Sequence, residues 1–343
     1  MNKRESKEQV SLPACPNPDC RESHVVRNGS HRGRQRYSCR RGKTYFGETQ
    51  GTPMDGLKTP AAEVAQTLLV VMRRGRPKRS PDTNMRRLAS GACRAATHAA
   101  ALTQVLASDL HLSQVEIDEF WSFVQKKGVA GQPDEGERWG CLIQDRDSRF
   151  LVAAATGPLS EDLIERAVTT TVQRTHQREL HWFSDGWQGY QNILVRAYRQ
   201  RKWTGKRGRP AWVVPETVTL MQTVKHRDEH GRLLAVEIRP ALGGSIEPVG
   251  TVHVERLNGA LRDRLNALTR KTHAEAFRDA TFDALVGLQL FDHHFHRAHH
   301  ALRLPCADGV RRSPHRSPAM ALGLTKPRWS FQELLTSRIP ITP

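Results

Sequence analysis

Between Val115 and Ala155 three strand-like stretches follow one another before any helical pattern intervenes. They are Val115–Val124, Trp139–Gln144 and Arg149–Ala155, joined by a charged, glycine-containing loop and by the turn Asp145-Arg146-Asp147-Ser148. An amphipathic helix follows over 159–173, then the short buried strand Leu180–Asp185, a helix over 190–199, and a hairpin of 217–224 with 233–238 across Glu229-His230-Gly231-Arg232. A helix containing Glu255 comes next, and a last long helix spans about His273 to Arg297. Strands and helices in this order predict an α/β body, a mixed sheet with helices on its faces.

The Glu255 helix carries an informative pattern. Val254, Leu257, Leu261, Leu265 and Leu268 recur at steps of three and four, the stripe of a helix packed on a core. Glu255, Asn258 and Arg262 share one edge beside that stripe, because seven steps of roughly 100° almost complete two turns. Alone, such charges are ordinary surface charges.

Two further acids change that reading. Asp118 interrupts a mostly apolar strand, a costly position unless the carboxylate is paired or bound to a cation. Asp185 ends the fourth strand, before Gly186. The three acids lie too far apart in sequence for a local motif, so only the fold can gather them. Converging carboxylates repel, and a divalent cation removes that repulsion. Oxygen-only ligands select Mg²⁺ or Mn²⁺, and paired ions serve in-line phosphoryl transfer. Glu116 and Glu119 are rival ligands on either face of the first strand, and Glu247 is a further alternative to Glu255.

A formal charge of +18 over 343 residues calls for a polyanionic partner, most simply nucleic acid. No apolar run approaches the roughly 20 residues that span a bilayer, and Met1–Leu12 is too polar for a secretory signal. The six cysteines do not form a disulfide framework, so a reducing, intracellular (cytoplasmic, nucleoid-associated) setting is expected.

Upstream, 1–12 read as a disordered lead-in and 13–50 as a degenerate zinc ribbon. Cys15 and Cys20 form one knuckle, a hairpin follows, and Cys39 stands alone in the second knuckle, where a ribbon places another Cys before Gly42. Zinc prefers four ligands, so three thiolates leave His24 or His31 as candidates for the fourth. Residues 55–110 read as a helical DNA-binding segment with helices at 61–72 and 95–110. The Arg- and Pro-rich stretch 73–94 between them does not read as the middle of a helix-turn-helix. Arg74 and Arg76, within Arg74-Gly75-Arg76-Pro77-Lys78-Arg79, suggest a minor-groove arm whose core recurs at Arg207–Pro210. The main body is expected over 111–305 and a basic tail over 306–343. His293, His294, His296, His299 and His300 read as a positive helix end near phosphate rather than a metal site. Trp121 and Trp187 are expected to wall the acidic pocket or pack the core. Cys93, Cys141 and Cys306 are expected to be ordinary thiols.

Asp118–Val124, Ser184–Trp187, and Val254–Asn258 with Arg262, Leu268 and Arg270-Lys271-Thr272, resemble the DDE transposases of the first-described bacterial insertion-sequence family. The ribbon, Phe295–Leu302 and Ser317–Met320 extend the resemblance over most of the chain. It implies a ribonuclease-H-like catalytic domain with Asp118, Asp185 and Glu255 as a metal-binding catalytic triad. It implies that Arg262 contacts DNA near the element's end, with Arg256, Asn258, Arg270 and Lys271 in the same DNA-binding segments. Water would cut at the element's end, the freed 3′-OH would attack target DNA, and a homo-oligomer would assemble on DNA. A DNA-binding regulator without activity, and a nuclease that cuts without joining, are the competing functions.

Overall fold

A computed structural model describes the chain except residues 1–11, 18–19, 21–23, 32, 75–84, 130, 176–178, 204, 206–209, 245–249, 270–274, 306–313 and 340–343, with the backbone alone at 73–74 and 85–89. The expected minor-groove arms, the lead-in up to residue 11, Glu247, Arg270, Lys271 and Cys306 therefore lie outside the described residues, and Arg74 is described by its backbone only.

The N-terminal unit is a three-stranded antiparallel sheet, β1 (Val25–His31), β2 (Arg34–Cys39) and β3 (Thr44–Gly47). Helices α1 (Ala61–Arg74) and α2 (Met85–Leu106) follow. The central sheet has six strands in the order β11-β10-β7-β4-β5-β6. β4 (Gln114–Val124), β5 (Gly136–Asp145) and β6 (Leu151–Gly157) form an antiparallel meander. The Asp145 carboxylate closes the turn into β6 by accepting from the Ser148 N–H and hydroxyl. Helix α3 (Glu161–Thr175) then carries the chain across to β7 (Leu180–Asp185), which lies parallel to β4. After α4 (Gly189–Tyr198) and a small hairpin, β8 (Gln200–Lys202) with β9 (Ala211–Val213), β10 (Val218–Arg227) runs parallel to β7 and β11 (Leu233–Leu242) folds back antiparallel. The sheet is mixed and flanked by helices, as the element order predicts.

Residue alternation on β4 sets its two faces. Asp118 and Ser122 bond to residues of or just after α5 (Val252–Arg264), whereas Glu119 on the other face meets Tyr190 of α4. Apolar residues of this sheet, of α1, α2 and α6 (Asp279–Phe291), and of the C-terminal helices share one core.

Three expectations need correction. The stretch 73–94 is helical from Met85 onward, because Ala92, Ala95, Ala96 and Ala99 form a small-residue stripe that α6 covers. The packing is close: a Cβ on Gly287 would lie 3.5 Å from that of Ala96. The apolar residues of this segment belong to the main core. The last long helix begins at Asp279 rather than near His273. Arg138 grips the Asp279 carboxylate with two bonds of 2.6 and 2.8 Å, and Asp134 accepts from the Asp279 N–H, which fixes that start. It ends in a π-helical turn, Asp292–His296. Finally, the described part of the expected basic tail is folded. α7 (Pro318–Ala321) and α8 (Phe331–Thr336) bury Ala319, Phe331, Leu334 and Leu335, and the Arg338 guanidinium donates to the carbonyls of Gln50, Gly47 and Glu48. Among the described residues no helix is long and apolar enough to cross a membrane.

Candidate functional site

Glu116 sets the position of α5. It is fully buried on β4, and its carboxylate accepts from the backbone N–H groups of His253 and Val254 at 2.9 and 2.7 Å. These are orphan donors of the helix's first turn, so the side chain caps a helix remote in sequence. Arg146 completes the arrangement as the ion-pair partner of Glu116 and also donates to the Gly250 carbonyl. Burial raises the Glu116 carboxyl, while the Val254 N–H and Arg146 pull the other way. Glu116 is a structural acid, spent on α5 and Arg146, which answers the rival-ligand reading.

Two residues along the same face, Asp118 accepts from the Asn258 amide at 2.6 Å. One turn before Asn258, Glu255 projects from α5. Asp185 ends β7, and β4 and β7 run parallel with Glu116 opposite Phe183. That pairing ends two residues short of Asp118, in the middle of β4, and of Asp185, at the carboxyl end of β7. Burial drives the Asp118 carboxyl up to about 6, and the negative charges of Asp185 and Glu255 push it the same way. Asp185 and Glu255 thus both act on Asp118 electrostatically. They are not drawn into a tight cluster: among the described residues the only group of three or more His, Cys, Asp or Glu ligand atoms within 4.8 Å of one another is made of cysteines. Glu255 is held instead by Lys225 of β10, at 2.9 Å, and by the Thr251 hydroxyl, at 3.2 Å. Asp185 accepts from the Trp187 N–H at 3.0 Å.

On the opposite face Glu119 accepts from the Tyr190 hydroxyl at 2.5 Å, and burial raises its carboxyl to about 7. Lys225 and Tyr190 escaped sequence reasoning, since nothing near them in the chain marks them as partners of acids. Asn258 is turned toward the acids. It is 3% exposed with its amide on Asp118, so it positions the acid. Arg256 is exposed on α5, and Arg262 is half-buried. Trp187 is 41% exposed and meets Tyr190 edge to face, beside Asp185, and Trp121 is half-buried. His293 and His294 lie in the core. His293 bonds through Nε2 to the Arg149 carbonyl, and His294 Nε2 accepts from the Leu151 N–H. Burial holds both rings well below the usual imidazole range, so the pair is neutral packing rather than a positive helix end.

The second cluster is the ribbon. Cys15, Cys20 and Cys39 are all buried, with sulfurs close enough to hold a metal ion such as zinc. Burial raises the Cys15 thiol, and the Gly42 N–H, 3.3 Å from the Cys39 sulfur, lowers that of Cys39. His24 and His31 are exposed and outside the cluster. A Cβ at Gly42 would point to within 3.0 Å of the Cys15 sulfur. Position 42 therefore faces the sulfurs at close quarters.

No protein-family model matches this chain and no curated protein matches it, so its relation to the insertion-sequence transposases stays a resemblance carried by the segments quoted above.

Proposed function

We propose that this chain is a DDE-type transposase that cleaves DNA at the ends of an insertion element and joins them to a target. The observation that carries the reading is that Asp185 and Glu255 both act on the buried Asp118 carboxyl, with the Glu255 helix tied to Asp118 through Asn258. The strand order, a meander followed by two parallel strands, is consistent with a ribonuclease-H-like sheet extended by β11. The charge of +18 suits a DNA partner.

Asp118, Asp185 and Glu255 would hold divalent cations, Mg²⁺ or Mn²⁺. The donor set fits: three oxygen ligands, one of them a buried carboxylate whose ionisation is opposed by the other two. Bound there, such ions supply Lewis acidity and charge neutralisation for in-line displacement at phosphorus. The Asn258 amide fixes the Asp118 rotamer, and Glu116 fixes the helix that presents Glu255. In cleavage the water oxygen bonds to phosphorus while the bond to the 3′ oxygen breaks, leaving a 3′-OH. In joining, that 3′ oxygen attacks a target phosphodiester and the target's own 3′ oxygen leaves.

One observation favours a second reading. Glu255 is ion-paired with Lys225, and the acids are not gathered, as in a DNA-binding regulator without activity. Cleavage and joining assays on DNA carrying the element's ends separate the two. Glu255→Gln should abolish both steps and leave DNA affinity unchanged or raised. Normal joining by Glu255→Gln would rule out the triad, and binding without any cutting by the parent protein would favour the regulator.

A further inference from the structure

Helix α5 has a second edge. His253, Arg256, Leu257, Ala260 and Arg264 follow one another at helical spacing and line a cavity of about 450 Å³, closed on its far side by Arg149 and the segment from Arg297 to Ala301. That volume lies within the range of ligand sites. No carboxylate lines it. Arg297 is neutralised by Asp292 at 2.8 Å, but no salt bridge engages Arg149, Arg256 or Arg264 among the described residues. Three guanidinium groups thus line the cavity without a direct carboxylate partner, although Glu116 acts on Arg149 and Asp292 on Arg264 from outside it. Like charges repel and raise the energy of the site until an anion enters. The potential is felt locally: the His299 imidazole is lowered first by burial and then by Arg149, Arg264 and Arg256. Its Nδ1 is buried at the cavity with no hydrogen-bond partner.

We propose that this cavity is a phosphate-binding site for the backbone of a DNA strand, separated from the acids by the width of α5. Planar guanidinium forks match phosphate oxygens in pairs, and the His299 nitrogen supplies a further contact. The apolar floor of Leu257, Ala260 and Ala301 suits the sugar edge of the backbone. Helix α5 then divides two tasks, with Glu255 on the edge that does chemistry and Arg256 and Arg264 on the edge that grips. The anion-binding character of the site stands on the cavity alone; its assignment to DNA rests on the transposase reading.

The test is binding of a fluorescein-labelled DNA duplex to the full-length protein over a range of salt concentrations, with plasmid nicking in Mg²⁺ or Mn²⁺ measured alongside. Arg149→Gln combined with Arg264→Gln should weaken binding about tenfold or more and flatten the salt dependence by about two counterions. Arg149 also donates to the Arg146 carbonyl, so the double variant is checked by thermal melting. Arg256→Gln, on the exposed surface, serves as the second variant and should remove about one counterion. Unchanged affinity and slope in a folded double variant, or in Arg256→Gln should the double variant not fold, would overturn the proposal. So would loss of inorganic triphosphate binding with DNA binding intact, which would mark a small-anion site. Weakened DNA binding in the variants, from a parent that never nicks, would sink the transposase reading and leave the cavity assignment standing.

Discussion

The two candidate metal centres differ in how far they are assembled. The ribbon's three sulfurs lie within 4.8 Å of one another, while the acids Asp118, Asp185 and Glu255 do not reach that closeness. The difference follows from the charge of the ligands. A protonated thiol is neutral, so three can pack in a small core with Val25 and Phe46 before any ion arrives. Ionised carboxylates repel, and each must be desolvated and brought toward the others. The chain answers that with partners, Asn258 for Asp118 and Lys225 for Glu255. The cysteines are also local, joined by one hairpin, whereas the acids come from β4, β7 and α5 and need the whole sheet to meet. A site of neutral ligands can be preformed, and a site of charged ligands waits for its counter-charge.

The largest effect is expected at the ribbon. Purified protein should carry near-stoichiometric zinc, and Cys15→Ser or a strong chelator should remove it and unfold the small sheet. Structural zinc sites contribute on the order of 10 kcal/mol to folding, and three thiolates should still supply a large part. The sheet of six strands should be untouched, because its core is separate from that of the ribbon. Zinc-free protein with an intact ribbon in near-ultraviolet circular dichroism would break the comparison, for the cysteines would then be core packing alone.

At the acid centre the largest effect should come from the residue that holds no metal. Glu116→Ala would leave Arg146 and two helix N–H groups without their acceptor. Removing one partner of a buried ion pair costs about 3–5 kcal/mol, and urea unfolding should read a loss of that order. Glu116→Gln, which keeps one acceptor oxygen, should lose less. A loss under about 1 kcal/mol in the alanine variant would mean that α5 is positioned by its apolar stripe instead.

Asp118→Asn tests whether the carboxylates are in tension. The folded-state carboxyl titrates at about 6 against an ordinary 3.8, so the folded protein holds this proton more tightly than the unfolded chain. Stability from this group is fully present below the lower value and falls as pH rises through the upper one. Near neutral pH the ionised form therefore costs on the order of 3 kcal/mol. The substitution should stabilise the cation-free protein by that order above pH 7 and by nothing below pH 4, read from urea melts about those two pH values. Saturating Mg²⁺ should reverse the ranking, since the parent alone gains from the ion. Destabilisation at both pH values would show that Asn258 and Asp118 form an untroubled structural pair.

Much of this was legible in the chain, for reasons that differ by residue. Strand alternation around Asp118 and the helical stripe from Val254 to Leu265 are strong periodic signals, and both elements form where the pattern predicts. The start of α2, Met85–Arg94, was missed because its Arg, Ser and Gly residues give little hydrophobic contrast, and the contribution of Ala92 arises only when α6 covers it. The roles of Glu116 and Lys225 were illegible because each depends on a partner far along the chain. Glu116 reads as one more acid in an acidic strand until α5 arrives over it. Cys15, Cys20 and Cys39 lay in plain view, but that position 42 faces the sulfurs required the path of the backbone.

The smallest effect concerns Lys225. Its ammonium and the Glu255 carboxylate are 42% and 45% exposed, and exposed pairs of this kind contribute at most about 1 kcal/mol. Lys225→Met keeps the aliphatic stem and removes the charge, so thermal stability should barely move. The Glu255 carboxylate would keep its bond from Thr251 but lose its counter-charge, and its negative potential would act in full on the space between Glu255, Asp118 and Asp185. A divalent cation should then bind up to about fivefold more tightly, since fivefold corresponds to roughly 1 kcal/mol. Mn²⁺ titration followed by electron paramagnetic resonance reads this directly, and added monovalent salt should narrow the gap between parent and variant by screening the same pair. Weaker Mn²⁺ binding in the variant would turn the argument round: Lys225 would then hold Glu255 in place for the ion, and the acid centre would be closer to preformed than its spread carboxylates suggest.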